Sequence, residues 1–432
     1  MRPDTIYCGD AVELLATWPA DCVDLIFADP PFNIGYVYDK YRDDRPDEEY
    51  LEWSRAWMRA CQRVLKPTGS FYIAIGDEFA ADIRLIGREL GLYLRNWIIW
   101  HYTFGQNTQT KFARSHTHIF YFVRDPQRFT FNDRLLRFPS ARHTEYQDLR
   151  ASPLGRLPDD VWDEFPRVCG TFKERAGFHG CQMPEALLQR IVLASSHPGD
   201  VVLDPFVGSG TTAVAAKRTG RRYVGIDLSP EYVEQTRRRL AAVRDESGVR
   251  PQDGVWPALH VDYLLQIYRE TGVALRNLIG NDVALRVIAA SLAARSGWDY
   301  TVDDVRAKFV ELSRTRGVPK LPNDTPFAPR DHRATAGKRY VRTKLLQTTR
   351  RTAKQSLRML ASGGPRPAAE SAPAAGPRRG RPRAQPATPA AGTSGAMRSP
   401  TASGAAGREA ASGGVRTQAG SGTARIVHEA TG

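Results

Sequence analysis

The chain has 432 residues, enough for one large α/β domain with additions or for two domains. Its 61 Lys and Arg outnumber 47 Asp and Glu, and the formal net charge of +14 points to an acidic partner, with nucleic acid the first candidate. Cys8, Cys22, Cys61, Cys169 and Cys181 stand singly, without the C-x-x-C pairs of a structural zinc site or a disulfide framework. No metal is therefore expected. No segment approaches the roughly 20 apolar residues of a membrane span, and the first ten residues carry no apolar run of signal-peptide length. The expectation is a soluble, cytoplasmic protein with no membrane partner.

In chain order, Ile6–Cys8 reads as a strand, Gly9-Asp10 as a turn, Ala11–Leu15 as a helix and Val23–Phe27 as a second strand. Asp10 stands where open α/β sheets bind ligands, and equally where a helix takes an N-cap. The second strand runs into Asp29-Pro30-Pro31-Phe32. The prolines remove two backbone donors and leave carbonyls free, so an acidic acceptor, open carbonyls and an aromatic face stand together. That set suits a flat substrate with an exocyclic amine: Asp29 and the Pro30 carbonyl take its N–H donors while Phe32 stacks on the ring. A plain strand-to-turn junction fits the same residues.

Residues 34–46 have no clear period and read as a mobile loop. A helix follows from Asp47 to Leu65, Lys66-Pro67-Thr68-Gly69 stops it, and Ser70–Ile75 is a buried strand. Glu78–Leu90 is helical, and Trp97–Trp100 and His118–Val123 are strands. This alternation predicts an α/β fold, a mostly parallel sheet covered on both faces. From Arg124 to Phe178 the regularity fails, and arginines including Arg128, Arg134 and Arg137 interleave with aromatics. The segment is a candidate nucleic-acid surface, or else an ordinary solvated insertion.

His179–Glu185 leads into a helix, and Val201–Leu203 is a strand ending in Asp204. The turn Pro205-Phe206-Val207-Gly208-Ser209-Gly210 follows, with Thr211 and Thr212 opening the next helix; Tyr223–Ile226 then ends in Asp227. Gly208 and Gly210 permit close approach of a ligand to the backbone, and an acid after the second strand of such a unit binds ribose hydroxyls. No G-x-x-x-x-G-K-[ST] occurs at this turn, which excludes a P-loop. Gly208–Ala213 fits the G-x-G-x-x-A form of a dinucleotide site, but the carboxylate of Asp204 would repel a pyrophosphate. It would instead hold an ammonium group. A cofactor with a cationic amino-acid end and a ribose, such as S-adenosylmethionine, suits Asp204 and Asp227 together.

Asp29-Pro30-Pro31-Phe32 resembles the catalytic motif of the DNA amino-methyltransferases, and Asp204–Gly210 resembles their cofactor motif. The motif order, catalytic first, resembles that of the circularly permuted β group, and the similarity spans about residues 5–240. The resemblance implies a Rossmann-like S-adenosylmethionine-dependent methyltransferase fold, with Asp29, Pro30, Pro31 and Phe32 catalytic. It implies cofactor contacts from Asp10, Asp204, Phe206, Gly208, Gly210, Thr211 and Asp227. The substrate implied is an exocyclic amine of a base flipped from double-stranded DNA, with the Asp at position 29 favouring adenine N6 over cytosine N4. Phe32 stands where a tyrosine is more usual, which keeps stacking and loses a phenolic hydrogen bond. No Pro-Cys pair occurs, so cytosine-carbon methylation is not expected. A homodimer and a cognate restriction enzyme are further partners such enzymes admit. RNA or protein-amide methylation, and DNA binding without catalysis, are the rival functions.

The expected domains are a methyltransferase domain over 1–248, containing a target-recognition region at 124–178, and a helical extension over 249–330. In that extension Thr301 opens the last helix with a capping-box arrangement. Residues 331–432 read as a basic, Ala/Pro/Gly-rich disordered tail. Within the tail, Pro377–Arg383 resembles an AT-hook, with Arg379 and Arg381 entering an A·T-rich minor groove.

Overall fold

The computed structural model describes residues 1–321, apart from 104–107, 171, 173, 253, 316 and 320. The basic tail and the AT-hook-like segment with Arg379 and Arg381 lie outside the described residues.

Helices and strands alternate: β1 (Thr5–Cys8), α1 (Ala11–Ala16), β2 (Val23–Ala28), α2 (Asp47–Val64), β3 (Leu65–Ile75), α3 (Ala80–Glu89), β4 (Tyr93–His101) and β5 (His116–Val123). The region after β5 holds only α4 (Asp133–Leu136), α5 (Ala141–Thr144) and β6 (Val161–Trp162). Regularity returns with α6 (Glu185–Ser195), β7 (Val201–Asp204), α7 (Thr211–Arg218), β8 (Arg222–Asp227) and α8 (Pro230–Ala241). Four more helices complete the described chain: α9 (Ala258–Thr271), α10 (Leu275–Ile279), α11 (Asp282–Ser296) and α12 (Val302–Arg314).

The strands form one sheet in the order β1-β8-β7-β2-β3-β5-β4-β6. It is the expected mostly parallel sheet, and β5 alone runs against both its neighbours. Period-two alternation divides the core. Ile26, Phe71, Ile73, Phe120 and Phe122 pack under α1, α2 and α3. Their sequence neighbours Leu25, Phe27, Tyr72, Ile119 and Tyr121 pack under α6 and α7. Helix α2 buries Tyr50, Ser54, Trp57, Met58, Cys61 and Val64, a stripe at helical spacing, and Asp47, Glu48 and Glu49 complement its N-terminal dipole.

Two expectations change. Lys66–Gly69 does not separate helix from strand: α2 passes directly into β3, and the segment is a bulge, with Val23 opposite Leu65 but Leu25 opposite Ser70. Residues 34–46 also have a hydrogen-bonded frame. The buried Asp43 carboxylate accepts from the backbone N–H of Asn33 (2.7 Å), Ile34 (3.1 Å) and Tyr36 (2.9 Å). Asn33, at φ +57°, bonds the backbone of Arg45 through both ends of its amide.

The C-terminal helices share one apolar core with the 124–178 region and α6: Phe138 and Leu193 pack with Leu264, Ile267, Leu285, Ile288 and Phe309. Buried ion pairs cross the same boundary. Arg190 on α6 bonds Glu164 and Glu270, and Glu270 also holds Arg295 at 2.8 Å. The capping box of Thr301 with Asp304 forms as expected. Among the described residues no helix is long and apolar enough to cross a membrane.

Candidate active site

The parallel part of the sheet brings four aspartates to one edge. Strands β1, β8, β7 and β2 are consecutive neighbours and all parallel, so their carboxyl ends lie side by side. Asp227 and Asp204 end β8 and β7, Asp29 directly follows β2, and Asp10 comes one residue after β1, past Gly9. Asp29 and Asp204, far apart in sequence, thereby face one cavity of about 570 Å³, which Asp10 and Asp227 also line. That volume suits a nucleoside cofactor with a second ligand beside it.

Three of the four carboxylates are engaged by their own turns. Asp10 caps α1, accepting from Val12 N (2.8 Å) and Glu13 N (3.1 Å), so the N-cap role holds and the residue still lines the cavity. Asp204 accepts from Phe206 N (3.0 Å) and Thr212 Oγ1 (2.6 Å). Burial pushes its acid up to about 7 against those bonds. Asp227 accepts from Gly208 N and Ser229 N, each at 2.9 Å. Gly210 sits at φ +80°, and a Cβ there would come within 2.5 Å of Thr236 Cγ2. Thr211 spends its hydroxyl inside the turn, on Ser209 and Arg239. Phe206 stands edge-on to Trp57, with centroids 5.2 Å apart.

Asp29 is the exception, because its carboxyl has no hydrogen-bond partner among the described residues. Burial pushes it up to about 8, the charge of Asp204 adds to this, and Arg167 opposes it. The Pro31 carbonyl accepts from the buried Tyr50 hydroxyl at 2.7 Å. Nothing among the described residues donates to the Pro30 carbonyl. Phe32 is half-buried on the cavity wall, beside Gly76, where an added Cβ would lie 3.2 Å from the ring.

Several cavity residues carried no readable sequence signal. Tyr36, Tyr38 and Tyr41 lie on the segment fastened by Asp43, which is also tied to the far wall by Asp39, accepting from Ser229 Oγ at 2.6 Å. Tyr36 and Tyr38 are in ring contact at 4.7 Å, and His179 meets Tyr232 edge-on at 5.0 Å. Their clustered spacing was visible, but not which wall they form. Opposite, Lys111, Arg114, His116 and Arg167 line the cavity. Arg114 is held by Asp77 (2.6 Å) and Glu78, whereas Arg167 has no ion pair among the described residues. Of the arginines of the 124–178 region, Arg167 lines the cavity, while Arg128, Arg134 and Arg137 do not. Arg128 pairs with Asp125 and Arg137 with Asp133, both at 2.7 Å, and Arg134 is exposed.

A Rossmann-like sheet with a glycine-rich turn, a second acid at the next strand end and an unpartnered carboxyl in one cavity fits the class of nucleoside-cofactor enzymes. A profile of the DNA methylase family matches residues 23–238, half of the chain. The type II methyltransferase M.HpaI of Haemophilus parainfluenzae is 39% identical over 236 residues, covering 54% of this chain and 73% of that protein. The DNA adenine methyltransferase YhdJ of Escherichia coli K12 is 38% identical over 244 residues, 55% of this chain and 82% of that one. A DNA modification methylase from Thermus thermophilus, solved with S-adenosyl-L-methionine, is 28% identical with a TM-score of 0.41, covering 57% and 99% of the two chains. The chain belongs to the DNA methylase family of adenine-N6 and cytosine-N4 amino-methyltransferases.

Proposed function

We propose that the protein methylates adenine N6 in double-stranded DNA, using S-adenosylmethionine and a target base turned out of the duplex. The observation that carries this reading is the Asp29 carboxyl, unpartnered beside the free Pro30 carbonyl, in the cavity that Asp204 and Asp227 share. These two acceptors take the two N–H donors of an exocyclic amine, and Phe32 offers its face to the ring. Holding the amine in place is the main task, because amine methylation needs positioning more than a strong base. The cofactor, when bound, supplies an electrophilic methyl group.

The residues present fit that cofactor. Gly208 on the cavity wall lets a ligand come close to the turn, whereas Gly210 packs against Thr236 and does not line the cavity, and Asp227 stands at the strand end suited to ribose hydroxyls. Asp204 and Asp227 each keep acceptor capacity beyond the bonds they make, since a carboxylate offers about four lone-pair sites. Asp10 and Phe206 complete the cofactor side. Adenine is preferred because the DNA adenine methyltransferase of E. coli is among the relatives and because Asp occupies position 29. The type II names of other relatives extend the proposal to a cognate restriction enzyme.

Single-molecule sequencing of DNA from cells expressing the protein tests the reading. A methylated adenine in a fixed sequence context, absent with Asp29→Ala, is the expected result. Methylated cytosine N4 would reassign the base, and absence of any modified motif would overturn DNA as the substrate.

A further inference from the structure

The rim of the cavity carries a feature that binding a flipped base does not use. Phe112 lies between β4 and β5 and is 100% exposed, the most exposed of the large apolar side chains described. The ring does not line the cavity, but Lys111 and Arg114 on either side of it do. The base of this connection is fixed. Tyr102 N bonds Ser115 O at 2.8 Å, and Arg114 is held by Asp77 at 2.6 Å and by Glu78. A bare aromatic ring thus sits one residue from Lys111 and two from Arg114, beside a cavity that His116, Arg167 and Glu78 also line.

We propose that Phe112 is the wedge that enters the DNA stack at the position the target base vacates. The proposal rests on the base-flipping reading above. A base leaving the duplex loses its stacking and pairing and leaves a gap with two apolar faces. Apolar side chains inserted between base steps fill such gaps, and a fully exposed ring gives up only water on entering one. Lys111, which has no ion pair among the described residues, brings a phosphate flanking the gap to the rim. Phe112 acts as a positioning residue: it touches neither cofactor nor reacting amine, and favours the open duplex over the closed one.

The test compares wild type, Phe112→Ala and Phe112→Trp on duplex oligonucleotides carrying the site found by sequencing. One duplex is matched and one carries a mismatch at the target base. On the matched duplex, kcat/KM should fall about ten- to a hundredfold in Phe112→Ala and be largely kept in Phe112→Trp. On the mismatched duplex, whose target is already loosened, the Ala variant should come within about twofold of wild type. Fluorescence of 2-aminopurine at the target position should show the matching loss of flipped base in Phe112→Ala. Equal activity of the Ala variant and wild type on matched DNA overturns the wedge alone, as does an equal defect on both duplexes. A wild-type protein that methylates no duplex overturns the underlying function, and the wedge falls with it.

Discussion

Replacing Asp29 with asparagine separates two effects that the unpartnered carboxyl has on the protein. The first is on stability. The folded chain holds this proton up to about pH 8 against 3.8 for the ordinary group, because burial and the charge of Asp204 disfavour the ionised form. Between those values the folded state binds more protons than the unfolded state, so stability falls as pH rises and levels off above about 8. One proton limits the slope to about 1.4 kcal/mol per pH unit, and Arg167 and solvent at the cavity mouth reduce it. Asp204, pushed up to about 7, adds a parallel slope that ends sooner, which leaves the stretch from pH 7 to 8 to Asp29. The substituted amide cannot ionise, so in urea melts at pH 5, 7 and 8 the variant should gain on wild type as pH rises. The second effect is on chemistry: an amide turns N–H donors towards a donor amine, and kcat should fall by at least about a hundredfold. S-adenosylmethionine affinity should change by less than about threefold, since the substituted position lies outside the cofactor turn. Parallel stability profiles for the two proteins, or full activity in the variant, would refute the reasoning.

In Gly210→Ala, φ of +80° and a Cβ within 2.5 Å of Thr236 Cγ2 impose strain and overlap together. Calorimetry should show a loss of about 2 kcal/mol or more, with weaker cofactor binding by titration. Asp43→Ala strands the N–H groups of Asn33, Ile34 and Tyr36. A loss of about 2–4 kcal/mol in urea melts, with a higher KM for the cofactor, is expected. Arg190→Ala leaves the buried Glu270 with one cationic partner in place of two and Glu164 without its own. Denaturant unfolding should show a loss of about 3–5 kcal/mol.

The parts of the fold that were legible in the sequence are those where one local rule decides. Strand β2 and the Gly208–Gly210 turn announce themselves by apolar run and glycine spacing, and Thr301 with Asp304 by capping chemistry. The direct passage from α2 into β3 was not legible, because Pro67 and Gly69 read locally as a stop while the pairing with β2 absorbs them as a bulge. The frame around Asp43 was hidden for a similar reason. An acid in a polar, aperiodic stretch gives no sign that three backbone donors converge on it. The same limit applies to the arginines of the 124–178 region, where composition marks a basic segment but not which guanidinium faces the cavity. Arg167 does, while Arg128 and Arg137 are in ion pairs.

The two prolines explain why one aspartate of four stays unpartnered. Asp10, Asp204 and Asp227 each accept a bond from the backbone N–H two residues on, at Val12, Phe206 and Ser229. This is the ordinary local turn of an Asp at a strand end. Two residues after Asp29 stands Pro31, which has no N–H to give. The motif thus withholds the bond that occupies its three neighbours, while Tyr50 fixes the backbone through the Pro31 carbonyl. Pro31→Ala restores a donor and keeps that carbonyl. The new N–H should take up the Asp29 carboxylate, lower its pKa, and reduce kcat about ten- to a hundredfold, the value of one charge-assisted bond. The acid limb of the kcat/KM profile should move to lower pH as the plateau falls, a combination that mere loosening of the loop would not produce. An unchanged acid limb, whatever the rate, would show that the missing N–H is not what keeps Asp29 available.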